Sequence, residues 1–368
     1  MKRLTTLALL AGLVVAAALV ATSGVDEVWT ALVATGWGML AVVVARAAVV
    51  VLAGLGWWTL FPRAPRPTAL AAIGVRFVRE GINTLLPVAQ VGGDLVGARL
   101  VVRGETRGGL AGASVIVDIM AQAVTQFLFT ALGLGVLIWL GGDETVIRTV
   151  AIGLALAAPA LLGFYLVQRR AGHRLVGWAL ARLAGEREWR VLGAVDVLYE
   201  NLRALYAQRG RLLASAAIHS TSWLVGAVEV WIALTCMGYE TSFAEALVIE
   251  SLAQAVRGAA FAVPGAVGAQ EGGLIALCAL FGVPAQAALA LSLVKRVGDL
   301  AVGVPGLLAW RSLEAGRTPE DLGRRLAEMM PRTPLMPTPP LAQSYGLVGA
   351  PLVGAPARPE AERGEGAR

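Results

Sequence analysis

Two segments in separate halves of the chain interrupt long apolar runs in the same way. The first reads Asn83-Thr-Leu-Leu-Pro87-Val-Ala-Gln-Val-Gly92-Gly93-Asp94, the second Ala260-Phe-Ala-Val-Pro264-Gly265-Ala-Val-Gly268-Ala-Gln-Glu271. In each, a proline is followed seven residues later by a carboxylate, with glycines between. An arginine precedes each proline by about two helical turns, Arg79 and Arg257. Proline and glycine stop helices, and lipid cannot satisfy the backbone groups that a helix end leaves open. Breaks of this kind beside a charge, occurring in two halves, point to discontinuous helices around a polar site near a bilayer midplane.

The flanking sequence fits a membrane. It is 57% hydrophobic and 15% charged, against roughly 45–50% and 25% in soluble domains. Apolar runs of about 20 residues, enough to cross a bilayer, recur along the chain. Lys and Arg mark the cytoplasmic loops. On that rule Lys2 and Arg3 are inside, and Leu4–Val20 reads either as a cleavable signal sequence or as a first transmembrane helix. Asp26 and Glu27 are outside, and a span over about 28–61 returns to Arg63 and Arg66. The hairpin around Pro87 enters and leaves on the cytoplasmic side. Spans over 110–140 and 146–167 pass out to Asp143 and Glu144 and back to a basic loop, 168–211. A span over 212–237 goes out, the hairpin around Pro264 enters and leaves from outside, and 285–310 returns to Arg311 and Arg317.

The expected architecture is therefore all-α and polytopic. It is an inverted-topology repeat with two re-entrant helical hairpins and about six full spans, both termini cytoplasmic. Residues 1–315 form the transmembrane domain, with repeat one at about 28–140 and repeat two at about 212–310. Residues 318–368, rich in proline and poor in apolar residues, are expected to be a disordered cytoplasmic tail.

The formal net charge of +6 sits in loops, where it reads as topology and not as a nucleic-acid surface. Within the basic loop Trp189, Leu192, Val195, Leu198, Leu202, Leu205 and Tyr206 fall at helical spacing, which predicts an amphipathic helix in the headgroup layer of an anionic inner leaflet. Cys236 and Cys278 lie in apolar segments without ligand spacing, so neither a disulfide framework nor a metal site is indicated. Phosphate-loop, zinc-protease and nucleophile-elbow patterns are missing from the plausible sites, and no cofactor is expected.

Asp94 and Glu271 lead the candidate residues. Each follows a break where a helix starts, so each serves either as a cap for open backbone N–H groups or as a group facing a polar cavity that binds a proton, a cation or an amino headgroup. Arg79 and Arg257, with Asn83 at the first break, are candidates for a lipid phosphate, the alternative for the arginines being snorkelling to the interface. Helix N-termini at Gly92–Gly93 and Gly268 add anion-binding N–H groups. The register that places Pro87 on Pro264 also places Asp118 on Lys295, with Arg296 next. Opposite charges at matching positions suggest an ion pair across the pseudo-two-fold axis, for which Asp299 competes. Gln122 and Gln126 continue the Asp118 face. His219, Glu229, Glu250 and Arg46 are further intramembrane ionisable groups whose partners the sequence does not name. Gly93-x-x-x-Gly97 and Gly268-x-x-x-Gly272 permit close helix contact.

The Asn83–Asp94 run, the Asp118 span and the Pro264–Glu271 run resemble the flippase-like membrane-domain family, whose best-known members form the N-terminal half of lysylphosphatidylglycerol synthases. The wording around Pro87 is similar to a subgroup associated with hopanoid biosynthesis clusters. The resemblance covers roughly residues 1–315. It implies a multi-pass bacterial inner-membrane protein that moves a lipid between leaflets, whether phospholipid, aminoacyl-lipid or hopanoid-type. The expected partners are membrane lipid as substrate, anionic inner-leaflet lipid at the basic loop, and lipid-biosynthesis proteins. The synthases add a soluble aminoacyltransferase domain that the short tail here is too small to form, so synthase activity is not expected. The alternatives are a membrane-embedded lipid-modifying enzyme using Asp94 and Glu271 as acid and base, and a non-catalytic partner acting through the basic loop.

Overall fold

The computed structural model describes residues 25–63, 66–86, 92–102, 108–168, 188–260, 263 and 266–314. Residues Leu4–Val20, Pro87, Pro264, Gly265 and the tail fall outside the described residues, so the readings placed on them stay there. All described residues belong to one unit, Met1–Met330, and all regular structure among them is helical.

Eleven helices follow in order: α1 (Val25–Ala34), α2 (Gly38–Leu60), α3 (Ala69–Leu85), α4 (Gly92–Val101), α5 (Gly108–Trp139), α6 (Glu144–Leu166), α7 (Glu188–Ala207), α8 (Arg209–Cys236), α9 (Phe243–Ala259), α10 (Ala269–Ala279) and α11 (Ala285–Glu314). Four of them, α2, α5, α6 and α8, are long and apolar enough to cross a membrane. The protein is thus an all-α, multi-pass membrane protein. The span expected over 28–61 is divided into α1 and α2, because Gly36 turns the chain with φ at 48°. Helix α11 is 30 residues long, but Lys295, Arg296 and Asp299 lower its apolar character.

The helix lengths repeat. A long helix, two short ones and a long one occur as α2–α3–α4–α5 and again as α8–α9–α10–α11. The short arms have 17 and 10 residues in the first set and 17 and 11 in the second. At 1.5 Å per residue, an arm of 10 residues covers about 15 Å, half of a bilayer's hydrocarbon core. The second arms are too short to be spans, so each pair is a hairpin.

Packing is reciprocal between the two sets. Helix α3 lies along α11, α9 lies along α5, and α2 and α8 pack on each other. The register that places Pro87 on Pro264 also carries the Gly81–Gly303 contact of α3 and α11 onto Gly258–Gln126 of α9 and α5, and both contacts are close. The two interfaces are therefore related by the internal repeat. Helix α6 stands at the edge, with no buried residue.

Helix α7 carries the amphipathic stripe of the basic loop. Val195, Leu202, Leu205 and Tyr206 are buried in a core cluster with α5, and Leu198 packs on its edge; the Trp189 and Leu192 side chains lie outside the described residues. The headgroup-layer reading is corrected for this face, because protein covers it.

Glycine content is functional for packing at specific points. A Cβ on Gly81 would lie 2.4 Å from the carbonyl oxygen of Gly303, a backbone atom that cannot move aside, whereas one on Gly74 of the same helix meets nothing within 4 Å. Gly81→Ala is expected to destabilise by about 1–3 kcal/mol through overpacking, and Gly74→Ala to stabilise by roughly 0.4–1 kcal/mol through chain entropy and helix propensity. Unfolding midpoints of the two variants in detergent should shift in opposite directions.

Candidate functional site

One face of each of five helices converges on a cavity of about 320 Å³. Helix α3 contributes Arg76, Glu80, Asn83 and Thr84, α5 contributes Ile119, Gln122, Ala123 and Gln126, and α2 contributes Arg46, Val49, Val50 and Ala53. Helix α8 adds His219, Ser222 and Trp223, and α9 adds Gln254, Arg257 and Gly258; Asp94 of α4 completes the wall. The spacings of three, four and seven are those of a single helix stripe. Polar residues at that spacing in otherwise apolar helices form the wet lining on which the interrupted backbone depends.

Asp118 is wholly buried beside this cavity. Its Oδ2 accepts from Arg79 Nη2 at 2.9 Å and from Gln122 Nε2 at 2.9 Å, with Arg76 Nη1 at 3.6 Å. Its Oδ1 lies 3.1 Å from His219 Nε2. Arg79 also donates from Nε and Nη2 to Asp94 Oδ1, at 2.9 and 2.6 Å. Arg79 therefore bridges two carboxylates and ties the first hairpin to α5. The Trp57 ring lies 4.8 Å from its guanidinium carbon.

Asn83 ties the end of α3 to the start of α4. Its Oδ1 accepts from the N–H of Gly93 at 2.7 Å, and its Nδ2 donates to Asp94 Oδ2 at 3.3 Å. Glycine is needed here: a Cβ on Gly93 would lie 2.3 Å from the Arg79 carbonyl oxygen, and one on Gly97 would meet the Arg79 stem at 2.6 Å. Of the two small-residue pairs in the sequence, the first makes its close contact. In the second, Gly272 faces open space and Gly273 sits against Val256.

The second hairpin uses a different pattern. Glu271 Oε2 accepts from the N–H of Gly268 at 2.6 Å, so it caps α10. Its Oε1 accepts from Arg296 Nε and Nη2 at 2.9 and 2.6 Å and from Ser292 Oγ at 3.0 Å. Gly268 has φ of 82°, a conformation suited to glycine. Lys295 donates to Glu250 Oε2 at 2.9 Å and lies 3.7 Å from Glu229. The expected pairing of Asp118 with Lys295 or Arg296 is therefore corrected. Three charges on the long helices α5 and α11 are paired by the hairpin of their own half, Asp118 by Arg79, Lys295 by Glu250 and Arg296 by Glu271.

Three contacts between ionisable side chains cross between the halves among the described residues. Arg46 of α2 donates to Glu229 of α8 at 3.1 Å and lies 3.4 Å from Asp299 of α11; His219 of α8 reaches Asp118 of α5. Asp299 also lies 3.5 Å from Arg257.

The predicted site residues thus divide. Asp94, Asn83 and Arg257 line the cavity, while Arg79 is buried between two acids and Glu271 is held away from the wall. Arg79 and Arg257 are not equivalent either, since the register of the prolines places Arg257 on Glu80 and Arg79 on Val256. Arg76, Glu80, Thr84 and Gln254 are wall residues that sequence reasoning did not assign. Their signal was present as i, i+4, i+8 polar spacing on the hairpin's first arm. Among the described residues no group of acids, histidines and cysteines could hold a metal ion.

Removing one partner of a buried ion pair costs about 3–5 kcal/mol, because the other charge is left uncompensated. Asp118→Asn is expected to lose that much. Arg79→Met alone should lose more, since it strands Asp94 as well as Asp118, and it should cost less when added to Asp118→Asn, where only Asp94 is left without its cation. Denaturant unfolding of the single and double variants in micelles checks the sign of the coupling.

Comparison with known proteins places this geometry in a family context. The sequence model described as the lysylphosphatidylglycerol synthase TM region matches residues 9–306. A relative described as a UPF0104 membrane protein from Methanothermobacter thermautotrophicus is 25% identical over 236 residues, covering 60% of this chain and 68% of that protein. No solved structure matches the chain.

Proposed function

The chain belongs to the lysylphosphatidylglycerol synthase TM-region family, and from that premise we propose that it moves the polar headgroup of a membrane lipid between leaflets through the cavity at the hairpins. The lipid is a phospholipid, an aminoacyl-lipid or a hopanoid-type amphiphile, and its tail stays in the hydrocarbon. The site works in a bacterial inner membrane with the arginine-rich helix ends in the cytoplasm.

The observation that carries the reading is the cavity wall. Arg46, Arg76, Arg257, Glu80, Asp94 and His219 face one space of about 320 Å³ inside a membrane domain. Ionisable side chains within membrane segments are expensive, and they are retained where they face a water-filled path or a substrate. The wall offers both signs. Arginines Arg76 and Arg257 suit phosphate oxygens, and Asp94 and Glu80 suit an ammonium group. Asp94 is held by Arg79 and Asn83 and needs no rearrangement to present its remaining lone pairs.

In this reading the halves have different tasks. The Asp118–Arg79–Asp94 bridge sets the shape of the first hairpin, and the Glu271 and Glu250 pairs fix the second. Substrate meets only the groups left on the wall.

Reconstitution into vesicles with labelled phospholipid tests the proposal. The wild type is expected to speed transbilayer movement, and Asp94→Asn and Arg257→Gln to slow it by about tenfold, equivalent to roughly 1.4 kcal/mol in the barrier. Glu271→Gln is expected to act through stability, lowering the unfolding midpoint more than the rate of folded protein. Unchanged lipid movement in both Asp94→Asn and Arg257→Gln would remove the cavity from the function.

A further inference from the structure

Among the described residues, most arginines buried or half-buried in the bundle have a carboxylate partner. Arg46 has Glu229, Arg76 has Glu80, Arg79 has Asp94, Arg257 has Asp299 and Arg296 has Glu271. One group departs from that pattern, at the end of the bundle where α2 finishes and α8 begins.

Helices α2 and α8 run antiparallel in a register fixed by several contacts. Gly38 packs on Cys236, Arg46 bonds Glu229, Ser222 donates to the Val49 carbonyl, and Gly56 packs on His219. Continued by two turns, that register brings Arg211 level with the chain leaving α2 at Arg63 and Arg66. Burial, and after it the neighbouring cations Arg211 and Arg63, lower the proton affinity of Arg66, and no acid is paired with it among the described residues.

The Arg66 side chain is held in place by its neighbours. The Arg66 guanidinium carbon lies 3.3 Å from the centroid of the Trp58 ring. Its Nη2 donates to the Trp58 carbonyl at 3.4 Å, and Trp58 Nε1 donates to the Pro67 carbonyl at 2.9 Å, which fixes the ring. Arg66 Nε and Arg211 Nη1 are both shielded from solvent and have no acceptor. A buried donor left unmade costs more than an exposed one, so two such donors on neighbouring uncompensated cations call for an acceptor-only anion. Trp58 and Leu212 pack on the apolar core just inside this group, which lies where the apolar, membrane-length helices α2 and α8 meet at one end.

We propose that Arg66 and Arg211, with Trp58 as the platform, form a binding site for a phosphate oxyanion, the group carried by an anionic phospholipid headgroup. Arginine matches two phosphate oxygens at once, and a guanidinium seated on an indole keeps its fork turned to one side. The site is separate from the cavity, because none of its residues lies on the cavity wall. Occupied, it supplies the negative charge that Arg66 and Arg211 lack and anchors the α2–α8 end at the membrane surface.

The test uses the full-length protein in neutral detergent micelles, titrated with fluorescent phosphatidylglycerol, alone and with excess inorganic phosphate. Arg66→Gln and Arg211→Gln, made separately so that a folding failure in one leaves the other, should each weaken phosphatidylglycerol binding roughly tenfold, about the worth of one charge-assisted hydrogen bond. Arg311→Gln removes the same charge from an exposed position and should leave binding unchanged. Displacement by inorganic phosphate would mean that the site takes any phosphate, and no displacement would mean that it takes the lipid headgroup; either result supports the oxyanion assignment. Wild-type binding in both Arg66→Gln and Arg211→Gln, or an equal loss in Arg311→Gln, would overturn it.

Discussion

The fold depends on neutralising buried charge within short reach. Asp118 has no solvent exposure and receives Arg79, Gln122 and His219, with Arg76 close by. Desolvating a carboxylate costs several kcal/mol, which is offset only when its oxygens are filled by well-placed donors. Arg79 meets that need by joining Asp118 to Asp94, and in doing so it sets the hairpin. The arm α4 can sit against α3 only where Gly93 and Gly97 leave room for the Arg79 backbone and stem. Charge neutralisation and backbone geometry are one constraint here, not two.

The second half solves the same problem with the signs reversed. Where Asp118 on α5 faces a cation on α3, Lys295 on α11 faces Glu250 on α9. A repeated fold does not need the same charge at the same place, only local cancellation. Because most pairs close within a half, the space between the halves is spanned chiefly by Arg46, by His219 and by polar bonds such as Gln126 to the Gln254 carbonyl. Any relative movement of the halves would have to break these contacts first, while the hairpins kept their own.

Much of this was legible in the sequence. Long spans showed as apolar runs, and the two hairpins showed as proline and glycine beside an acid. The polar face of α5 showed as Gln122 and Gln126 one and two turns beyond Asp118. Pairing was not legible. Matching positions for Asp118 and Lys295 suggested contact across the repeat, yet matching position means equivalence under the symmetry, and equivalent residues need not be neighbours. The partner of Asp118 lies instead on α3, 39 positions earlier in the chain, and only the folded hairpin brings it near. The division of the second span at Gly36 was also hidden, because glycine is too common here for one more to mark a turn. The stripe on α7 read correctly as amphipathic, but periodicity cannot tell a lipid-facing surface from one covered by protein.

The cavity size narrows what the proposed transport can involve. About 320 Å³ is at the lower end of ligand pockets, which run from roughly 300 to 1,000 Å³. At about 30 Å³ of liquid volume per molecule, that space takes on the order of ten waters, or one phosphate-ester headgroup with a few. The proposal therefore requires the tail to remain in the bilayer, and it requires a lateral route between helices through which the headgroup enters. Helix α6 contributes no buried residue and closes no part of the wall. On the proposed function the limit on entry is electrostatic: a headgroup would exchange its water for Arg76, Arg257 and Asp94, whose partners already hold them in position. That preorganisation lowers the cost of the exchange, and it explains why so many charges in this wall are bonded to protein and yet face the open space.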